Sequence, residues 1–238
     1  GQGFFDSENA HVWVANTKSG AAKQLVYGDY DDMLPCWSPD GKEIAFISFR
    51  HEGWRFRTEE QEIYRVSANG EKVKTVNTPN GPKEGGLSYS PDGKTLAYIG
   101  HDQPYKGWGV VNAVLNTVSI IGKNHQVHGK NIDRTARTLT LGDITPSFLS
   151  TSPIWNPEGK KIFYGISSDG RQHIVEADLE TGRAKIITEN NTVVCTWSAD
   201  AARLTLAYNG ASLESPDELF TLNLSTGVTK QITHLNRK

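Results

Sequence analysis

One ten-residue phrase returns along the chain and limits its fold more than any other feature. Residues 37–46 read WSPDGKEIAF, 89–98 YSPDGKTLAY, 155–164 WNPEGKKIFY and 197–206, more worn, WSADAARLTL. A phrase that recurs within one chain marks a structural unit rather than a reactive centre. Its chemistry is that of a β-hairpin. Ser38 can bond the backbone ahead of it, Pro39 presets φ near about −65°, Asp40 tolerates the next turn position and Gly41 supplies a left-handed residue. Beyond the turn, Ile44 and Phe46 alternate with Ala45, the period of a strand. Pro91, Asp92 and Gly93 repeat the turn, as do Pro157 and Gly159, whereas Ala199-Asp200-Ala201 predicts a looser fourth turn.

A second hairpin follows each first one. EIYRVSANGEKVKTV (62–76), HIVEADLETGRAKII (173–187) and ELFTLNLSTGVTKQI (218–232) share an alternating strand, a glycine-containing turn and another alternating strand. HVWVANTKSGAAKQL (11–25) is of the same type and precedes the first phrase. VVNAVLNTVSIIGKNHQV (110–127) fills the same slot in eroded form, with Asn116 and Ser119 where bulky apolar and turn-forming residues are expected. The eroded hairpin and the worn fourth phrase predict two less regular units.

The leading aromatics stand at 37, 89, 155 and 197, spacings of 52, 66 and 42 residues. The shortest matches a four-stranded propeller blade, and the others need inserted loops. The fold expected is all-β: a β-propeller of four-stranded antiparallel blades, about four and a half of a ring of about seven. Residues 1–238 form a partial propeller, with a half blade over 1–27 and blades over about 28–77, 78–127, 128–188 and 189–238. Trp37, Tyr89, Trp155 and Trp197 are expected to share one position and pack between blades. Strand order puts the tight turns on one face of the disc. The long segments 49–61, 100–109 and 128–152 fall on the other, where a rigid scaffold presents them. The chain opens with Gly1 and has only Met33, so a fragment of a longer protein is expected.

Several function classes are disfavoured. With 25 basic and 27 acidic residues the formal charge is −2, against a nucleic-acid surface. No apolar run approaches the ~18 residues of a membrane span. Cys36 and Cys195 precede the first and fourth phrases and read as buried strand residues, which suits a reducing, cytoplasmic setting. No G-x-S-x-G elbow, H-E-x-x-H, phosphate loop or paired C-x-x-C occurs, so no metal or cofactor is expected. Gly107-Trp108-Gly109 lacks a third glycine, and the sequons at Asn190 and Asn223 match a loose pattern. His125 and His128 are expected to face solvent, and RHEGWRFRTEEQE (50–62) to be a solvated loop.

Some stretches are more specific. GDYDDMLPCWSPDGKEIAFIS (28–48), YIGHDQPYKGWGVVN (98–112), DRTARTLTLGD (133–143) and PIWNPEGKKIFY (153–164) resemble, in order, the propeller domain of acylaminoacyl peptidases and related dipeptidyl peptidases of the prolyl oligopeptidase family. The S-P-D-G phrase alone is shared with TolB-type propellers. The resemblance implies a serine peptidase for short peptides. Its catalytic Ser, Asp and His would lie on a C-terminal α/β-hydrolase domain of the same polypeptide, outside this chain. No catalytic residue maps here, and the chain alone is expected to be inactive. The propeller would gate the site, with substrate contacts from Tyr105, Lys106, Trp108 and Arg134 on the long loops. A homo-oligomer is compatible with this reading. The alternatives are a TolB-like scaffold and a propeller enzyme with its own metal site.

Overall fold

The computed structural model describes residues 9–106, 110–139, 152–189 and 191–236. A two-stranded sheet comes first, β1 (Trp13–Ala15) with β2 (Ala22–Gln24), followed by four sheets of four antiparallel strands. The first is β3 (Asp32–Trp37), β4 (Glu43–Ser48), β5 (Glu62–Ser67) and β6 (Lys74–Val76). The second is β7 (Lys83–Tyr89), β8 (Thr95–Gly100), β9 (Val114–Ser119) and β10 (Gln126–His128). The third is β11 (Ile154–Trp155), β12 (Lys161–Ser168), β13 (Arg171–Asp178) and β14 (Ala184–Ile186). The fourth is β15 (Val193–Ala199), β16 (Thr205–Ala211), β17 (Glu218–Asn223) and β18 (Thr229–Gln231). Each is a simple meander whose strands pair in chain order. The first strands form the inner edges, β3 beside β7 and β7 beside β11. The chain is an arc of propeller blades.

The core is not one mass but four interfaces, each between one sheet and the next. Val12, Leu25 and Val26 of the two-stranded unit meet Ile44, Phe46 and Tyr64. Ala45, Ile47, Ile63 and Val76 meet Tyr89, Leu96 and Tyr98. Ala97, Ile99 and Leu115 meet Trp155, Ile162 and Tyr164. Phe163 and Ile174 meet Trp197, Leu206 and Tyr208. A middle strand therefore carries apolar groups on both faces, so Ile44, Ala45, Phe46 and Ile47 are all buried. The recurrent turn also joins neighbours. A side chain at Gly93 would touch the Pro39 ring, and one at Gly159 the Pro91 ring, both at 3.6 Å. Each proline packs on the glycine of the following blade.

The leading aromatics need correction at both ends. Tyr89, Trp155 and Trp197 are 4, 2 and 5% exposed, but Trp37 is 51% exposed. Tyr89 and Trp155 pack on the inner strands of the sheet before them, and Trp155 Nε1 donates to the Ser88 carbonyl at 3.3 Å. Among the described residues ahead of Trp37 stand β1 and β2, the counterparts of an outer hairpin, and no inner strand there receives its indole. Trp197, in turn, does not hold the shared position. Trp37, Tyr89 and Trp155 pair with Ile44, Leu96 and Ile162; the residue paired with the corresponding Leu206 is Ala199. Trp197 lies two residues earlier, on the same face, which is why it is still buried.

Realigned in this way, the fourth turn is as tight as the others. Arg203 N donates to the Asp200 carbonyl at 2.9 Å, as Gly41 N does to that of Ser38. Asp200 Oδ1 accepts from Leu204 and Thr205 N, as Asn156 Oδ1 does from Lys160 and Lys161 N. Arg203 takes the left-handed position at φ 55° and donates to the Trp155 carbonyl at 3.4 Å. The eroded hairpin is regular too. Gly122 N closes its turn on the Ser119 carbonyl, and buried Asn116 donates to the Gly100 and Val114 carbonyls while accepting from His125. His128 is buried against the Thr117 hydroxyl rather than facing solvent. Cys36 and Cys195 are not joined in a disulfide, and burial pushes the Cys36 thiol up to about 12.

Candidate functional site

The connections 49–61, 101–113, 169–170 and 212–217 between hairpins, and those between sheets, share one face. The charged segment 50–62 there is not a solvated loop. Trp54 begins a short 3-10 helix, is buried, stacks on Phe49 at 5.6 Å and donates from Nε1 to the Asp29 carbonyl. Arg55 grips the Asp29 carboxylate at 2.8 and 3.2 Å; that bond, with one from Asn9, holds Asp29 down at about 2. Asp32, wholly buried, receives Arg50 at 2.6 Å and His11 at 2.9 Å. The Arg50 guanidinium also lies over the Tyr30, Phe46 and Tyr64 rings. The acidic run 29–32 thus acts as a socket for the arginines of the next loop. The signal was visible as an Asp-rich stretch followed about 20 residues on by an Arg-rich one.

The segment 129–139 is a strap between the second and third sheets. The Asn131 amide bonds both backbone groups of Ala184, Ala136 N donates to the Ala113 carbonyl, and Arg137 pairs with Glu84 of β7 at 3.0 Å. Beside it, Lys83 is buried with its ammonium on the Pro79 and Gly81 carbonyls, and burial lowers it to about 8. Two imidazoles touch hydroxyls, His128 with Thr117 and His173 with Thr188. Both pairs are buried and neither ring bonds a carboxylate, so they are packing rather than a base and its nucleophile. Among the described residues no cluster of three metal-ligating side chains occurs, and no helix is long and apolar enough to cross a membrane.

Three of the four residues expected to contact substrate are among the described residues. Tyr105 and Lys106 are exposed on the 101–113 connection. Trp108 lies outside the described residues. Arg134, on the strap, donates to the Asp133 carbonyl and reaches Ser168 Oγ at 3.0 Å and Asp169 at 3.4 Å. Among the described residues no hydrogen bond or ion pair joins Tyr105 or Lys106 to Arg134.

Arg134 instead leads to a cleft between the third and fourth sheets that the sequence reading missed. It has a volume of about 450 Å³ and is lined by Asp169, Arg171, Asn191, Val193, Leu213 and Glu214. One wall is the two-residue turn Asp169-Gly170, with φ of 52° and 76°, which joins β12 to β13. Left-handed values at both positions make this the hairpin turn that Asp-Gly favours. The dipeptide between two alternating runs, KIFYGISS and RQHIVEAD, was the available signal. The other wall is the turn 212–215, where Ser212 Oγ accepts from Glu214 and Ser215 N, and Ser212 N donates to the Ser215 carbonyl.

No protein-family model matches the chain. An uncharacterised peptidase, YuxL, of Bacillus subtilis is 34% identical over 92 residues, 38% of this chain and 13% of the relative. Dipeptidyl-peptidase 5 of Porphyromonas gingivalis is 21% identical over 242 residues, 95% of this chain and 32% of the relative. The chain is a propeller domain related to peptidases. It spans a third or less of the length of these two relatives. Among solved structures, TolB from Acinetobacter baumannii matches with a TM-score of 0.62 at 18% identity, over 93% of this chain and 48% of that one. A Mycobacterium tuberculosis puromycin-hydrolyzing peptidase matches with 0.64 at 17%, over 90% and 30%. These two likenesses show the propeller fold. The likeness to prolyl oligopeptidase-family propellers read from the motifs stands with them.

Proposed function

We propose that the chain is the non-catalytic, substrate-gating propeller of a serine peptidase that hydrolyses short peptides. The observation that carries this is the sequence likeness to dipeptidyl-peptidase 5, which runs over 95% of this chain yet 32% of the relative. The remainder of such a protein has room for an α/β-hydrolase domain. There a serine would attack the scissile carbonyl with histidine as base, and oriented N–H groups would hold the developing oxyanion. The propeller's part is steric and electrostatic. Its loop-bearing face would cover that site, exclude folded proteins by size and keep water from the reacting bond. Rigidity suits the task, because the loops are pinned by paired charges such as Asp32 with Arg50 and Glu84 with Arg137. Tyr105, Lys106 and Arg134 are the proposed peptide contacts on this face, and the two cysteines, not joined in a disulfide, fit a reducing compartment.

The reading frame beyond Lys238 is the test. A G-x-S-x-G motif there, and cleavage of short peptides but not folded proteins by the intact polypeptide, is the expected result. A stop codon directly after Lys238 would favour the TolB-like scaffold, a reading that the match to TolB keeps in view. Folded and short substrates cut at similar rates would overturn the gating role.

A further inference from the structure

The charges of the cleft between the third and fourth sheets are only partly matched. Asp169 is engaged: Arg134 reaches it at 3.4 Å and the Ser168 hydroxyl donates to it at 2.8 Å, which together hold its carboxyl below the usual range. Arg171, two residues on, lies in the field of Asp169, but among the described residues its guanidinium makes no hydrogen bond or ion pair. On the same face Arg50, Arg55, Arg57, Arg134 and Arg137 all hold a carboxylate. Across the cleft, the Glu214 carboxylate has no partner among the described residues either, and its neighbour Leu213 is fully exposed. Both walls are preformed, one by the Asp169-Gly170 hairpin and one by the Ser212-centred turn.

A simple anion entering here would meet Glu214, and a simple cation would meet Arg171. A ligand with one charge of each sign and an apolar group between them satisfies both, and about 450 Å³ is the size of a small-molecule pocket. We propose that this cleft binds a short peptide with both termini free, its carboxylate on Arg171, its ammonium on Glu214 and an apolar side chain against Leu213. The choice of a peptide rests on the function proposed above; the paired vacant charges do not.

Calorimetric titration of the 238-residue chain with Leu-Leu, N-acetyl-Leu-Leu and Leu-Leu-amide tests this. Saturable binding of Leu-Leu is expected, weakened at least fivefold by either cap. Arg171→Gln should abolish discrimination against the amide, and Glu214→Gln discrimination against the acetyl form, with circular dichroism unchanged in both. No saturable binding of Leu-Leu, equal binding of capped and free forms, or indifference to both substitutions would overturn the proposal. If Leu-Leu binds but no hydrolase follows Lys238, the cleft stands and the peptidase reading falls. If the intact polypeptide cleaves peptides while this chain binds none, only the cleft assignment falls.

Discussion

Trp37 and Trp155 occupy the same position in the first and third copies of one phrase, but among the described residues only Trp155 has inner strands in front of it. Trp155→Ala removes an indole that is 2% exposed and sits among Ala97, Ile99 and Leu115 of the preceding blade. A buried aromatic covers ~150–250 Å², worth about 4–6 kcal/mol at ~25 cal/mol per Å², and such truncations cost about 3–5 kcal/mol in practice. Losing the Nε1 bond to the Ser88 carbonyl adds about 1 kcal/mol. Trp37, half exposed, forfeits roughly half that area and leaves no closed cavity, so Trp37→Ala should cost about 1–2 kcal/mol. For a chain of this size each kcal/mol moves the melting temperature by about 2–4 °C. Thermal unfolding followed by far-ultraviolet circular dichroism should therefore show a fall of about 8–24 °C for Trp155→Ala and about 2–8 °C for Trp37→Ala. Equal losses, or a larger one for Trp37→Ala, would refute the idea that these aromatics act by packing on the blade before them.

Asp200→Asn should be tolerated, because Asn156 does the same work one blade earlier, while Asp200→Ala should cost about 1–2 kcal/mol in urea unfolding. Asp32→Ala leaves the Arg50 guanidinium without its buried counter-charge and should cost about 3–5 kcal/mol by the same assay; a solvated loop would lose under 0.5 kcal/mol. Burial lowers His101, His125, His128 and His173 from 6.5, so the unfolded chain binds protons first as pH falls. Their contribution is complete above about pH 6.5 and is lost as pH drops through their lower native values. The melting temperature should fall as pH drops below about 6.5, and less steeply in His128→Gln.

The architecture was legible because a hairpin turn is local chemistry. Ser38, Pro39, Asp40 and Gly41 each serve a stated backbone need, and the alternating strands beyond them carry the blade. Matching the fourth copy on its tryptophan misled by two residues. The identical tetrapeptides TLAY at 95–98 and 205–208 mark the true alignment, since middle strands packed on both faces vary least in shape. The exposure of Trp37 could not be read locally, because burial there depends on a strand that no part of the phrase encodes. The socket formed by Asp29 and Asp32 showed only as an Asp-rich stretch ahead of an Arg-rich one; its pairing with Arg55 and Arg50 follows from the β3–β4 register that sets Asp32 opposite Ser48. The Asp169-Gly170 turn was readable; the cleft beside it was not, as its second wall comes from the next blade.

The central claim is that these sheets frame a reaction whose bond-breaking groups are carried by other sequence. A fluorophosphonate probe reacts with an activated serine and ignores ordinary ones, so intact-mass analysis of the treated 238-residue chain is the direct measurement. No mass increase is expected. A stoichiometric adduct on any serine between Ser7 and Ser225 would contradict it.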